Sequence, residues 1–201
     1  ANVAALTTRQ VLAIEVADLA VLGSTNLQAL NTAQMAALGT DQVVALTTDQ
    51  VSNLKTAQVA ALTTAQVAAL TTGQVQALTE SNVKGLTTAQ IASMTTDQVA
   101  SLQNADLATL TTSQLVGLTT DGVAALTTSQ VSALTNSQLS NLSSTQLQAM
   151  ETADLANLSA AQVTGLGTSQ ISNLTTDQTA GLTSTQVAAL SSAQIAQLST
   201  D

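Results

Sequence analysis

The chain has no aromatic residue, no proline, no cysteine and no histidine, and only 7% of its 201 residues are charged. Each absence excludes something. Without Cys there is no disulfide, no thiol chemistry and no thiolate zinc site, although this does not choose between an exported and a cytosolic protein. Without His, Cys or Tyr, the usual general bases and activated nucleophiles are missing. Without aromatics, any core must consist of thin aliphatic rungs. Arg9, Lys55 and Lys84 are the only cations, and the net charge is −9. That excludes the clustered positive charge on which nucleic-acid binding depends. No run of about 18 apolar residues is present to span a membrane. The most apolar stretch, Val11–Leu22, is interrupted by Glu15 and Asp18. Apolar content is nevertheless 45%, which with so little charge is not the composition of a disordered chain.

What is present is a single octapeptide, repeated. Every eighth residue from Leu6 to Leu198 is large and apolar: 25 positions holding 22 Leu, Met94, Met150 and Ile14. With this residue as position 1, the octad approximates Leu-Thr-Thr-x-Gln-Val-x-Ala. Position 6 is Val, Leu, Ile or Met from Val11 to Ile195, except at Thr179. Position 5 is Gln in 18 of those 24 copies, the others being Asp18, Asn26, Asn82, Asp106, Gly122 and Asp154. Positions 4 and 7 vary and read as solvent-facing. A fixed short period of this kind is the signature of a stacked repeat architecture. No shift of composition marks a boundary, so residues 1–201 read as one solenoid domain. Residues 1–29 are atypical, which suits a terminal cap, a longer first helix or simple drift. The missing initiator Met suggests a mature product or a piece of a longer chain.

A single continuous helix is excluded by phase. Eight residues at about 100° each turn through about 800°, so an apolar stripe would drift about 80° per octad and circle the helix. Each octad therefore needs a break. With Thr at position 2 as N-cap, Gln at position 5 falls at N3, the capping-box spacing, and the Leu and Val become a hydrophobic staple. A cap at position 3 would make the helix one residue shorter. Either setting predicts one helix of about six residues per octad, too short to stand without its neighbours. The expected fold is an all-α solenoid. The alternative is a β-solenoid, favoured by Thr and Val. Against it, positions 1 and 6 have opposite parity and would face opposite sides of a strand. Gly85, Gly117, Gly165 and Gly181, all at position 8, are spaced by 32, 48 and 16 residues. Asn141, Asn157 and Asn173 are also 16 apart. These multiples of 16 predict two helices per coil, with three as the alternative.

Chemistry is scarce. No GxSxG elbow is present, and Lys55 and Lys84 read as surface lysines rather than activators of a serine. Asp41, Asp49, Asp97, Asp121 and Asp177 share position 4, where a carboxylate complements the start of a helix. Asp18, Asp106 and Asp154 each replace Gln within Ala-Asp-Leu and read as substitutions in the capping role. No acidic calcium loop is legible, although the net −9 charge can hold divalent cations loosely. Asn141, Asn157 and Asn173 begin N-x-S/T triplets that the octad generates by itself. The expectation is therefore no catalytic, cofactor-binding or metal-ligating residue, no small-molecule substrate and no enzyme activity.

The run Ala61-Leu-Thr-Thr-Ala-Gln-Val-Ala-Ala-Leu-Thr-Thr72 resembles the octapeptide tracts of very large secreted, adhesin-like and type-I-secreted proteins of proteobacteria. That resemblance spans essentially the whole chain. It implies an extracellular or cell-surface stalk or filament without catalysis. Independently of the resemblance, apolar rungs at the ends of a solenoid rod and unfilled grooves along it suit self-association head to tail or side by side. The alternative, raised by the rows of Thr and Ser hydroxyls, is a module that adheres to a cell, ice or mineral surface. The calcium-binding nonapeptides of that secretion class are absent, so the export route stays open.

Overall fold

A computed structural model describes residues 3–198. They form 23 α-helices of four to six residues and two 3-10 helices, Val3–Ala5 and Val83–Gly85, with no strand. The all-α expectation holds and the β-solenoid alternative is overturned.

The break in each octad is two residues of extended backbone. Between helices Thr56–Ala61 and Thr64–Ala69, Leu62 lies at φ −60°, ψ 141° and Thr63 at φ −72°, ψ 160°. No residue of either kind, glycine or other, has positive φ among the described residues. The corners thus need neither Gly nor Pro, which accounts for a proline-free chain with only nine glycines. The N-cap of every described α-helix is position 2, from Thr7 to Ser191, so the cap at position 3 is not used; the 3-10 helix Val83–Gly85 starts later, after Asn82. Residues 14–22 do not form a longer helix; a short one, Val16–Ala20, begins after Glu15, whose side chain makes no capping bond.

Helices touch at intervals of three octads. Thr8–Leu12 packs on Thr32–Ala36, which packs on Thr56–Ala61; Val16–Ala20 packs on Thr40–Val44; Ser24–Leu27 packs on Thr48–Ser52. The same interval continues along the chain. One coil is therefore three helices, and the helices stack in three columns. The expectation of two per coil is corrected to its alternative of three. The position-8 residues show the same offset: a Cβ at Gly85 would meet Thr56, at Gly117 Thr88, at Gly165 Asn136 and at Gly181 Thr152. Each pair is 29 residues apart, three octads plus the step from position 3 to position 8. The 16-residue spacing of the glycines has no structural counterpart. Two helices per coil would require each link to reverse the chain, and so short a reversal normally relies on a left-handed residue, of which the described residues contain none.

Positions 1 and 6 both point to the axis. The buried core runs from Val3 and Val11 through alternating Leu and Val, such as Leu46, Val51, Leu54 and Val59, to Leu174 and Leu190. The parity that a strand could not satisfy is resolved because position 1 lies in a corner and position 6 on a helix. Three aliphatic rungs per coil fill a thin interior, and small residues such as Ala61, Ala77 and Ala149 close its edge. The hydrophobic effect supplies the stacking force, roughly proportional to the apolar area removed from water.

Candidate functional site

The side chain that recurs with the most demanding geometry is the Gln of position 5. In the octad at Thr63, the Thr63 hydroxyl accepts from the Gln66 backbone N–H at 3.1 Å. Gln66 Oε1 in turn accepts from the Thr63 backbone N–H at 2.6 Å. This is the capping box read from the sequence. Gly39, Lys55 and Gly167 keep only the half in which Gln accepts from the backbone.

The second role of Gln was not read from the sequence. Gln66 Nε2 donates to the carbonyls of Met35 at 3.0 Å and Leu38 at 2.6 Å, 31 and 28 residues earlier. The same pair of bonds recurs at Gln74 with Val43 and Leu46, at Gln98 with Val67 and Leu70, and at Gln186 with Leu155 and Leu158. One amide thus satisfies the start of its own helix with its oxygen and the end of a helix in the preceding coil with its nitrogen. These glutamines are buried, where an unpaired amide would be costly. The sequence did carry a signal: a capping box accepts Glu or Gln at N3, yet Glu never occupies position 5. Only Gln retains an N–H to donate.

Departures from Gln show what the ladder requires. Asn82 is shorter but still donates to Val51, Ser52 and Leu54 at 3.1–3.3 Å. Gly122 has no side chain to donate, its N–H serving only the Thr119 cap, and among the described residues no side chain reaches the Met94 carbonyl. The Ala-Asp-Leu copies lack a side-chain N-cap bond and carry Glu15, Gln103 or Glu151 at position 2. Gln103 partly restores the coil-to-coil link by donating to the Gln76 carbonyl at 2.6 Å. Lys55, also at position 2, reaches the Gln28 carbonyl at 2.9 Å in the same way. It is a bridge between coils, not a free surface lysine.

The three aspartates are not equivalent. Asp18 lies in the first described coil and is exposed. Asp154 is buried and accepts from the Thr128 hydroxyl at 2.7 Å. Asp106 is 3% exposed, and its Oδ2 is buried with no hydrogen-bond partner. Burial, and secondarily the charge of Glu80, raises its pKa from 3.8 to about 6.

The remaining candidates stay apart. Asp41, Asp49, Asp97, Asp121 and Asp177 are exposed in the first turns of separate helices. Among the described residues, no three acidic side chains gather as a metal site, and no helix is long and apolar enough to cross a membrane. Asn141, Asn157 and Asn173 are exposed, but each amide donates to the carbonyl four residues earlier, at 2.6–2.8 Å. Surface concavities are furrows between coils, such as one of about 550 Å³ lined by Gln76, Gln103, Thr127 and Gln130.

The recurring unit has a known counterpart. A profile of the ALTTAQ repeat matches residues 11–48, 44–80, 99–136 and 147–184. The chain belongs to the ALTTAQ repeat family. The Ala-Leu-Thr-Thr-Ala-Gln of that description stands at Ala61–Gln66, so the ALTTAQ unit runs from the end of one helix, through the corner, to the capping Gln of the next. No curated protein sequence matches the chain.

Proposed function

We propose that this ALTTAQ repeat chain is a non-catalytic structural rod, a stalk, spacer or self-assembling filament of a bacterial surface. The observation that carries the reading is the unbroken three-octad stacking along the described residues. Successive coils present the same apolar rungs and, wherever position 5 is Gln, the same kind of amide bonds, so copy number sets length. The scarcity of catalytic residue types and the likeness to secreted octapeptide tracts support a mechanical, extracellular role. The two faces of a coil are complementary, one offering carbonyls and the other glutamine N–H groups, with aliphatic rungs between, which suits head-to-tail association through the same contacts. The test is a series with whole coils added or removed, measured by small-angle scattering and electron microscopy. Maximum dimension should grow linearly with the number of coils, and filaments should appear at high concentration. A maximum dimension independent of coil number sinks the rod, and short monomers at all concentrations sink the filament. Antibody labelling of intact source cells tests the location.

A second reading, adhesion to an ordered surface, rests on one feature. Thr48, Thr72, Thr96 and Thr120 lie 24 residues apart in one column, all exposed, and none of their hydroxyls is used in the coil contacts. A regular rank of hydroxyls suits a periodic ice or mineral face. Replacing these four with Glu should then abolish surface adsorption while leaving the circular dichroism spectrum unchanged.

A further inference from the structure

We propose that Asp106 and Glu80 hold a hard divalent cation of the calcium class between two successive coils. The Asp106 side chain occupies a rung position where the ladder elsewhere delivers an N–H to the coil beneath. Its geometric target is the Leu78 carbonyl, 28 residues earlier, as Leu70 is for Gln98 and Leu102 for Gln130. A carboxylate has no hydrogen to give, and among the described residues no donor reaches the Leu78 carbonyl. Asp106 is 3% exposed, and its Oδ2 is buried without a partner.

The Asp154 rung, two coils further on, provides an internal comparison. There the residue 26 positions earlier is Thr128, whose hydroxyl donates to the carboxylate at 2.7 Å. The corresponding residue for Asp106 is Glu80, a second carboxylate, close enough for its charge to act on Asp106. Where one rung has a donor facing an acid, the other has acid facing acid beside an unmatched carbonyl. Three oxygen acceptors, one of them a buried Oδ2 without a hydrogen-bond partner, are the chemistry that a hard cation satisfies. The absence of nitrogen and sulfur ligands disfavours zinc or copper. With only two charged ligands, and water completing the shell, the site belongs to the weak calcium class, with Kd about 10⁻⁴–10⁻³ M. It would act as a cross-link between coils at a gap in the glutamine ladder.

The experiment is calorimetric titration of calcium chloride into the intact chain near neutral pH, with thermal melts in parallel. Asp106→Gln restores the residue of the repeat, and Glu80→Thr restores the arrangement seen at Asp154, so both should fold. The wild-type chain is expected to bind one calcium saturably and to melt higher with calcium, because a ligand that binds only the folded state stabilises it. Asp106→Gln should abolish both effects. Glu80→Thr should weaken binding by about tenfold, since ligand charge sets affinity in such sites. Equal binding by all three chains would assign the calcium to the diffuse surface charge and overturn the site. So would the absence of saturable binding up to ten times the upper Kd.

Discussion

Gln66 lies across two coils: its Oε1 accepts from Thr63 at 2.6 Å and its Nε2 donates to Leu38, 28 residues earlier, at 2.6 Å. A local rule of helix initiation and a long-range rule of stacking are thus served by one amide. The measurable consequence is a strong asymmetry between its two isosteres. Gln66→Glu keeps the oxygen that accepts from Thr63 but removes the N–H and sets a carboxylate against the Met35 and Leu38 carbonyls. It should destabilise the chain by about 3 kcal/mol, the scale of a buried polar group left unmatched. Helix content of the isolated octad would be little altered. Urea denaturation followed by circular dichroism checks this, and a loss below that of an ordinary surface substitution would show that the coil-to-coil bond is energetically empty.

Gly122 is the converse case. A Cβ at this position would meet Thr119 Oγ1 at 3.3 Å, Leu118 Cδ2 at 3.5 Å and Val99 Cγ2 at 3.7 Å, so a side chain needs only a small adjustment of its neighbours. Gly122→Gln would supply the missing donor to the Met94 carbonyl, complete the capping box with Thr119 and remove a flexible residue from a helix. The gain should be about 1–2 kcal/mol, the sum of a hydrogen bond and the Gly-to-non-Gly helix term. A rise in the urea midpoint is expected; a fall would mean that the Met94 rung is closed by packing the substitution disturbs.

Gly85 should respond in the opposite sense to the same kind of change. Its backbone lies against the coil beneath, where a Cβ would strike the Thr56 carbonyl oxygen and come within 3.0 Å of the Thr56 carbonyl carbon and 3.2 Å of the Ala60 nitrogen. Backbone atoms cannot rotate away as a side chain can. Gly85→Ala should therefore cost about 1–3 kcal/mol by overpacking, although Ala is the commonest residue at position 8. The comparison with an Ala-to-Gly change at Ala69 in the same assay separates close approach from helix propensity.

The helix start, the break in each octad and the two core rows were legible because each is a local pattern: Thr63 with Gln66, and Leu62 with Val67. The number of helices per coil was not. A sequence periodic in eight residues is indifferent to how many octads close a turn; that number comes from the backbone direction through Leu62 and Thr63, which no side chain spells out. The same gap hid the site at Asp106. Until Glu80 is placed on the coil beneath, the two residues are merely 26 apart in the chain, and Asp106 reads as a substitute cap. Gln at position 5 was half legible. Its capping role follows from spacing, whereas its stacking role is visible only in the exclusion of Glu.

Asp106 also makes stability depend on pH in a direction opposite to that of most paired carboxylates. Its pKa is raised in the folded chain from 3.8 to about 6, first by burial and then by Glu80. The folded state therefore holds the proton more tightly than the unfolded state. Between these values the folded chain binds more protons, so its stability falls as pH rises, and above about 6 the ionised carboxylate carries the full penalty. That penalty is on the order of 2–3 kcal/mol for a shift of this size. The informative quantity is the difference between the wild-type chain and Asp106→Gln in chelator-containing buffer, which isolates this one carboxyl. The advantage of the variant should be largest at neutral pH and shrink steadily as pH falls through about 6 toward 4. Glu80→Thr should move this transition only part of the way back, because burial is the larger cause and remains. A difference that stays flat with pH would show that Asp106 reaches water in the folded chain.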